Sequence, residues 1–544
     1  MAVETELKLL VPPEAVAGIL RQPALRKLIR AQHQDPVAET EGEGLNGTAV
    51  LPEDGAVERH RLVAVYFDTP DKWLSEHGMA LRIRRIGRKR IQTLKAPSAG
   101  PDGLQTFQEF ETEIEQDRPL LAAISDAKLR RRFEREKVWQ RLRPVFETRF
   151  YRSAFTVARE GTTVEVAVDH GDIVALGRRS PIAEIELEVK SGEPGAIFDL
   201  AEELALELAE EHPIRLGALT KAARGYALAD GVEPRPYKAR EIAFGAEVST
   251  EEAFVAIVRN CLDQLRANEE AVLATEDDEA IHQFRVALRR LRAIVGAYRD
   301  LIDDDVHALI SIDLRWLQRQ FGPARDLDVL IAETLKPIHE RLRGQPAFDR
   351  LIAAAETARA EARRTAHLAL ENPRYLAMLL QLYRHLHTGA WRRASARARL
   401  GAKVGDFARP LLQARHKRLM KLGLRADGLP ETELHRLRIL AKKMRYGAEA
   451  FQCLYKPKPV KRYVAALAAI QDCLGSLNDA FVGRQLLSGI AQRLMLDHGM
   501  AAADANLVQG LVLGWQTARI TRDLEGFQAT WRAFAKQKRF WVEG

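Results

Sequence analysis

Read as a sequence, the chain predicts a multidomain protein. An α+β first part has a sheet wrapped around a charged interior, and an all-α second part is built twice over. Three observations predict this. Over residues 1–230, charged and apolar side chains alternate with the period of two that a strand imposes. From Ser249 on, apolar residues recur at helical spacing in a stretch rich in Ala, Leu and Arg. Residues 282–292 also return in kind at 435–445, an offset of 153 residues.

Size and composition bound the rest. A chain of 544 residues is too long for one hydrophobic core, so two to four domains are expected. With 46% hydrophobic and 29% charged residues it reads as globular rather than disordered. A net charge of +8 favours a polyanionic partner. The three cysteines are odd in number and show no C-x-x-C spacing, which fits a reducing compartment. There is no basic segment followed by an apolar core at the start, and no apolar run reaches the ~20 residues that cross a bilayer. A cytoplasmic protein without a membrane partner is the expectation.

In chain order, Glu4, Glu6 and Lys8 share one face of a first strand, with Thr5, Leu7 and Leu9 on the other. Two bare carboxylates at that spacing repel by roughly 2–3 kcal/mol at an effective dielectric near 20, so a metal ion or basic side chains should compensate. A helix is predicted over 14–30 and a loop over 33–60, then a strand over 62–69. Residues 79–86 put Arg82 and Arg84 on one face, and 91–95 return with Thr93 and Lys95, forming a basic hairpin. Glu109, Glu111 and Glu113 make an acidic row. Arg149 and Arg152 lie on a strand over 144–155, Glu165 and Asp169 share a face, and Glu184, Glu186 and Glu188 form another acidic row. A helix follows over 197–211, then the run 219–226.

One acidic strand face is ordinarily solvated. Three acidic rows and two basic ones, each backed by an apolar face, call for a different arrangement. A sheet closed into a barrel keeps its apolar faces under helices and its charged faces in the lumen. Carboxylates there suit hard divalent cations, and Arg and Lys suit phosphate oxygens.

The run E-T-E-L-K at 4–8, Y-F-D-T at 66–69, L-R-I-R at 81–84, L-K at 94–95, E-x-E-x-E at 184–188 and T-K-A-A-R-G-Y at 220–226 resemble the CYTH family, the triphosphate tunnel metalloenzymes. The resemblance covers residues 1–230. It implies a closed eight-stranded antiparallel tunnel that hydrolyses a triphosphate with Mg²⁺ or Mn²⁺. It further implies that Glu4, Glu6, Asp169, Glu184, Glu186 and Glu188 hold metal. Lys8, Arg82, Arg84, Lys95, Arg152, Lys221 and Arg224 would hold phosphate oxygens. Glu109 and Glu111 would bind a second ion or orient the attacking water, so that catalysis falls to Glu4, Glu6, Lys8, Glu109 and Glu111. Phe107-Gln108 stand where many members carry a basic residue. Inorganic triphosphate is the expected substrate, since no base-binding motif is visible; thiamine triphosphate and nucleotides are the alternatives.

Residues 231–246 contain Pro234 and Pro236 and read as a linker to a helical domain over 247–540. Ser249 and Thr250 before Glu251 and Glu252 read as a capped helix start. The 153-residue offset also joins Phe254 to Phe407, Gln318 to Gln471 and Gly322 to Gly475, which predicts two homologous helical bundles, 249–395 and 402–538. At 100° per residue, His282, Arg285, Arg289 and Arg292 fall in a sector of ~80°, as do His435, Arg438, Lys442 and Arg445. Two basic stripes at one offset favour a shared anion site over a solvated helix face, and no H-E-x-x-H spacing argues for metal there.

These stripes, with R-D-L-D-V at 325–329, resemble the CHAD family, the conserved-histidine α-helical domain. The resemblance implies that the two stripes bind inorganic polyphosphate and that the chain associates with polyphosphate granules. Nucleic acid is disfavoured because no aromatics interleave the stripes for base stacking. Asp326 and Asp328 are expected to orient the arginines. A non-catalytic, granule-targeting protein is the competing class.

Overall fold

In a computed structural model, residues 3–31, 57–97, 105–302, 305–342, 344–389, 396–425 and 430–542 are described. The side chains of residues 3–5, 30–31, 105–107, 431, 478 and 498 fall outside this description. The chain divides into two compact units, residues 1–233 with 370–389, and residues 234–369 with 390–544.

The first unit is built on nine strands: β1 (Val3–Leu10), β2 (Glu58–Asp68), β3 (Ala80–Ile86), β4 (Lys89–Pro97), β5 (Gln105–Glu113), β6 (Arg143–Arg159), β7 (Thr162–Ala175), β8 (Arg178–Ser191) and β9 (Arg215–Leu216). Their order is β5-β4-β3-β2-β6-β7-β8-β1-β9. The strands number nine rather than the expected eight, because the two-residue β9 adds to β1. A further antiparallel pairing joins β1 to β5 over four residue pairs, Val3↔Gln108 to Glu6↔Gln105. Tight two-residue turns set the long hairpins. Glu160 and Gly161 both have positive φ, as do Leu176 and Gly177, the primed-turn geometry that matches strand twist. The turn residues thereby fix the β6–β7–β8 register that carries the charged rows.

Alternation sorts the side chains as expected. Leu81 and Ile83 are buried in a cluster with Leu94, Phe110 and Phe133, while Arg82 and Arg84 face the other way. Ile185, Leu187, Leu7 and Leu9 are buried on the outer side of β8 and β1, against which the helix Ala196–Leu208 packs. Two predicted elements differ. The helix expected over 14–30 is broken into Pro13–Val16, a turn at Ile19–Arg21 and Pro23–Ala31, because proline is tolerated only in a helix's first turn. The loop expected over 33–60 ends sooner, since β2 begins at Glu58; residues 32–56 lie outside the described residues.

Helix Pro373–Thr388 also belongs to the first unit, whereas the repeat argument assigned it to the helical half. It packs on helix Ala196–Leu208 and on β9. Arg384 reaches Asp199 at 2.7 Å and Glu202 at 3.3 Å, and the rings of Phe198 and His387 lie 5.8 Å apart.

The second unit is helical. Helix Thr250–Ala274 starts at the predicted cap, with Ser249 and Glu252 in a reciprocal capping box. The linker residue Tyr237 exchanges hydrogen bonds with Asn268 of that helix. Thr250 N donates to Ala402 O at 2.8 Å and Val404 N to Val248 O at 2.9 Å, which ties the starts of helices Thr250–Ala274 and Val404–Gly423 together. Phe254 and Phe407 both pack on Tyr298, at 4.7 and 4.3 Å between ring centroids.

Candidate active site and a basic helical stripe

Register builds the first site. Across neighbouring strands His60 stands opposite Arg152, Arg152 opposite Asp169, and Asp169 opposite Glu184. One step along, Lys8 stands opposite Glu186; one further, Glu6 opposite Glu188, and Glu188 opposite Glu165. Period-two alternation turns all of these to one face.

They form a knot of interleaved charge. Lys8 Nζ donates to Glu6 Oε1 at 2.8 Å and to Glu186 Oε1 at 2.6 Å. Arg152 grips Asp169 bidentately, at 2.8 and 2.7 Å, and also bonds Glu186. Lys221, at the start of helix Lys221–Asp230, donates to Asp169 at 2.6 Å, to Glu186 at 2.9 Å and to Glu184. Arg224 lies 3.6 Å from Glu184. Asp169 and Glu184 are fully buried, and Glu6, Lys8, Glu186 and Lys221 nearly so. Burial alone would lower Lys8, but Glu186, Glu6 and Glu184 overturn it and raise the ammonium's pKa. Lys221 is raised likewise against burial by Asp169, Glu184 and Glu186, and Arg152 by Asp169 and Glu186. Burial would raise Glu186, yet Lys221, Lys8 and Arg152 hold it well below the usual carboxylate range.

Beside the knot, the β3–β4 hairpin supplies a second cationic group. Arg82 lies 3.7 Å from Glu109, as does Lys95, and Arg84 bonds Glu111 at 3.0 Å. Thr93 donates to the same Glu111 oxygen at 2.8 Å. Arg84 is brought down to about 10, first by the neighbouring Arg82 and then by burial, so cations outweigh carboxylates at this point. Glu6, Lys8, Arg152, Glu186 and Lys221 of the first group and Arg82, Arg84, Lys95, Glu109 and Glu111 of the second line one cavity of about 510 Å³, with Asp169 and Glu184 buried behind it.

Of the residues expected here, Glu6, Lys8, Arg82, Arg84, Lys95, Glu109, Glu111, Arg152, Asp169, Glu184, Glu186, Lys221 and Arg224 fall into these two groups. Glu4 is on β1, but its side chain lies outside the described residues. Glu188 lines the cavity but bonds Lys190 at 2.8 Å instead of joining the buried acids, and exposed Arg149 pairs with half-buried Glu147 away from the site. Glu58, His60 and Lys190 also line the cavity, and sequence reading missed them. Glu58 and His60 share the parity of Leu62, Ala64 and Tyr66, the one signal that would have extended β2 to include them.

Asp169, Glu184 and Glu186 offer carboxylate oxygens within 4.8 Å of one another. Glu184 Oε2 is buried without a hydrogen bond. A set of hard oxygen donors with one unsatisfied member fits a divalent cation.

In the second unit, the two predicted stripes lie on helices Asp278–Val295 and Glu431–Ala450, which pack together. Arg289 Nε donates to Tyr446 Oη at 3.0 Å, bridging them. Arg285 lies 3.6 Å from Asp326, and its counterpart Arg438 lies 3.9 Å from Asp479. A Cβ on Gly322 would stand 3.4 Å from Arg285 Nη1, and one on Gly475 would stand 3.9 Å from Arg438 Nη2. Arg292 bonds Gln318, and Arg445 is 3.3 Å from Glu449. Asp328 departs from expectation. It faces Arg363 at 3.2 Å rather than a stripe arginine. The histidines also differ, because His282 is half-buried with an unbonded buried Nδ1 while His435 is exposed.

Here burial and like charge lower the cations. Lys442 is brought down to about 7 by burial, with Arg438, Arg289 and Arg285 adding to it against Asp479. Arg285 and Arg438 are lowered by burial and by Arg289. His282 is brought down to about 4 by burial and Arg325.

A family model for the CYTH domain matches residues 41–226, and one for the CHAD domain matches residues 256–488. An inorganic triphosphatase from Haemophilus influenzae is 35% identical over 165 residues, which are 30% of this chain and 44% of that protein. The chain thus spans less than half the length of that relative. An uncharacterized protein of Mycobacterium tuberculosis is 25% identical over 485 residues, 83% of this chain and 86% of that protein. The crystal structure of the CHAD domain from the plant Ricinus communis is 33% identical, covers 56% of this chain and 98% of that one, and superposes with a TM-score of 0.48.

Proposed function

The chain is a CYTH domain followed by a CHAD domain, and we propose that the first hydrolyses inorganic triphosphate with a divalent metal while the second binds inorganic polyphosphate. The observation that carries the first half is the interleaving of buried Asp169, Glu184 and Glu186 with Lys8, Arg152 and Lys221, the last three of which line one cavity with Glu186, Arg82, Arg84 and Lys95. A bare phosphate site needs only cations, and a bare metal site only carboxylates. A metal–triphosphate complex needs both.

In this reading the eight strands linked by β1–β5 act as a tunnel. Asp169, Glu184 and Glu186 would hold the cation, which would supply charge neutralisation of the phosphate oxygens. Arg82, Arg84 and Lys95 grip one end of the phosphate chain, and Lys8, Arg152 and Lys221 the other. Water attacks the terminal phosphorus in line, the P–O–P bond breaks, and the leaving pyrophosphate takes the electron pair. Glu109 and Glu111 face the hairpin cations rather than the buried acids, so their role is to orient Arg82, Lys95 and Arg84.

The two helical stripes are cation-rich, with Asp326, Asp479 and Glu449 as nearby acids. That is the pattern for a bare polyanion. In this reading the 153-residue repeat forms two related bundles that share one groove for the chain.

The test is a turnover screen of the full chain against triphosphate, long polyphosphate, ATP and thiamine triphosphate, each with Mg²⁺ or Mn²⁺. Phosphate release that is fastest from triphosphate supports the proposal. No release from any of them, with tight polyphosphate binding, would make the chain a non-catalytic binder.

A further inference from the structure

The charged lumen rests on an aromatic floor. Tyr66, Phe146, Phe150 and Tyr226 belong to one buried cluster with Leu62 and Ile182. Tyr66 stacks on Phe146 at 4.4 Å between centroids, and Tyr226 meets Phe146 edge-on at 5.2 Å. Gly225 allows helix Lys221–Asp230 to seat there, since a Cβ would stand 2.1 Å from the Phe146 ring. Three of the site's cations end on this floor. Lys221 Nζ lies 5.0 Å from the centre of the Phe150 ring and Arg152 Cζ lies 5.8 Å from it. Arg82 Nη1 donates to Tyr66 Oη at 3.4 Å. Phe150 is 5% exposed and lines the cavity.

We propose that Phe150 is a positioning residue for triphosphate, its ring face holding the Lys221 ammonium and the Arg152 guanidinium where phosphate oxygens arrive. The inference rests on the hydrolase reading of this site. The other partners that fix these two cations are Asp169, Glu184 and Glu186, all carboxylates. Each carboxylate that steadies a cation also repels an incoming phosphate. A ring face attracts cations through its quadrupole without net negative charge, and does so most strongly in a desolvated site. Phe150 can therefore anchor both cations without opposing the ligand. A leucine of similar bulk would fill the floor but lack the quadrupole.

The test uses the full chain with progressively fluorinated phenylalanine at position 150, up to pentafluorophenylalanine. Fluorination keeps the ring's shape and drains negative charge from its face. Calorimetric titration with inorganic triphosphate in EDTA reads binding apart from turnover. The dissociation constant is expected to rise stepwise with fluorination, to roughly tenfold for the pentafluoro ring, at an unchanged melting temperature. Phe150→Leu should weaken binding comparably and Phe150→Tyr should stay near the native value. Affinity that does not change with fluorination overturns the proposal. No binding in EDTA by a native chain that still releases phosphate from triphosphate with Mg²⁺ or Mn²⁺ overturns this inference alone; neither binding nor release means that the hydrolase reading itself fails.

Discussion

The two basic regions of this chain use the same side chains to opposite electrostatic effect. In the strand site, Lys8, Arg152 and Lys221 are raised, because Glu6, Asp169, Glu184 and Glu186 outweigh their burial. In the helical stripe, Arg285, Arg438 and Lys442 are lowered, because burial and neighbouring cations outweigh Asp326 and Asp479. The difference lies in the secondary structure that carries them. Adjacent strands place acids and bases directly opposite one another, so a sheet interleaves charge; a stripe along one helix face stacks like charges turn upon turn. The first arrangement is neutral and pre-organised for a ligand that brings both signs. The second holds unspent positive charge that a polyanion would relieve.

The largest expected effect breaks the compensated side of this comparison. Glu186→Gln leaves Lys8, Arg152 and Lys221 sharing fewer carboxylates in a buried site. Metal-dependent phosphate release should fall by at least about 10²-fold. Stability should fall by about 3–5 kcal/mol, as when one partner of a buried ion pair is removed, and denaturant melts of the full chain read this directly. Glu6→Ala and Lys8→Ala should abolish release as well.

On the uncompensated side, Arg285→Ala combined with Arg438→Ala should weaken polyphosphate binding and reduce the slope of log affinity against log salt by about 2. Single-stranded DNA bound as tightly as polyphosphate at the same salt would contradict the polyphosphate assignment. The pH dependence sharpens the contrast further. Burial brings Lys442 down to about 7, and bound phosphates would raise it. Affinity should then be constant below about pH 7 and fall as pH rises above it, by at most roughly tenfold per pH unit. Lys442→Arg should flatten that profile. His282, brought down to about 4, is neutral in this range and adds no slope. The smallest effect is expected at Arg384, whose exposed pairing with Asp199 and Glu202 should be worth under about 1 kcal/mol on Arg384→Ala, with phosphate release unchanged.

The same contrast sets what the sequence makes legible. Charged rows are readable because strand parity is rigid: Glu186, Arg82 and Arg84 line the cavity as alternation requires, and Glu184 meets Lys221 on the same side. The helical stripes are readable because the repeat doubles a signal that one helix leaves ambiguous. What is not readable is long-range pairing. Nothing local distinguishes Glu188, which turns to Lys190, from Glu186, which three cations surround. Nor does helical spacing reveal that Pro373–Thr388 belongs with Asp199 and Phe198 in the first unit, since its apolar residues would suit either environment. The strand count fails for a related reason, because β9 is only two residues long and has no period to detect.

The most direct test of the account is phosphate release from inorganic triphosphate with Mg²⁺ or Mn²⁺, measured in parallel for the native chain and for Glu186→Gln. The account predicts metal-dependent release by the native chain and its near-complete loss in the variant. Equal release from both, or none from the native chain under either metal, would contradict the claim that interleaved charge in this lumen is a metal–triphosphate site.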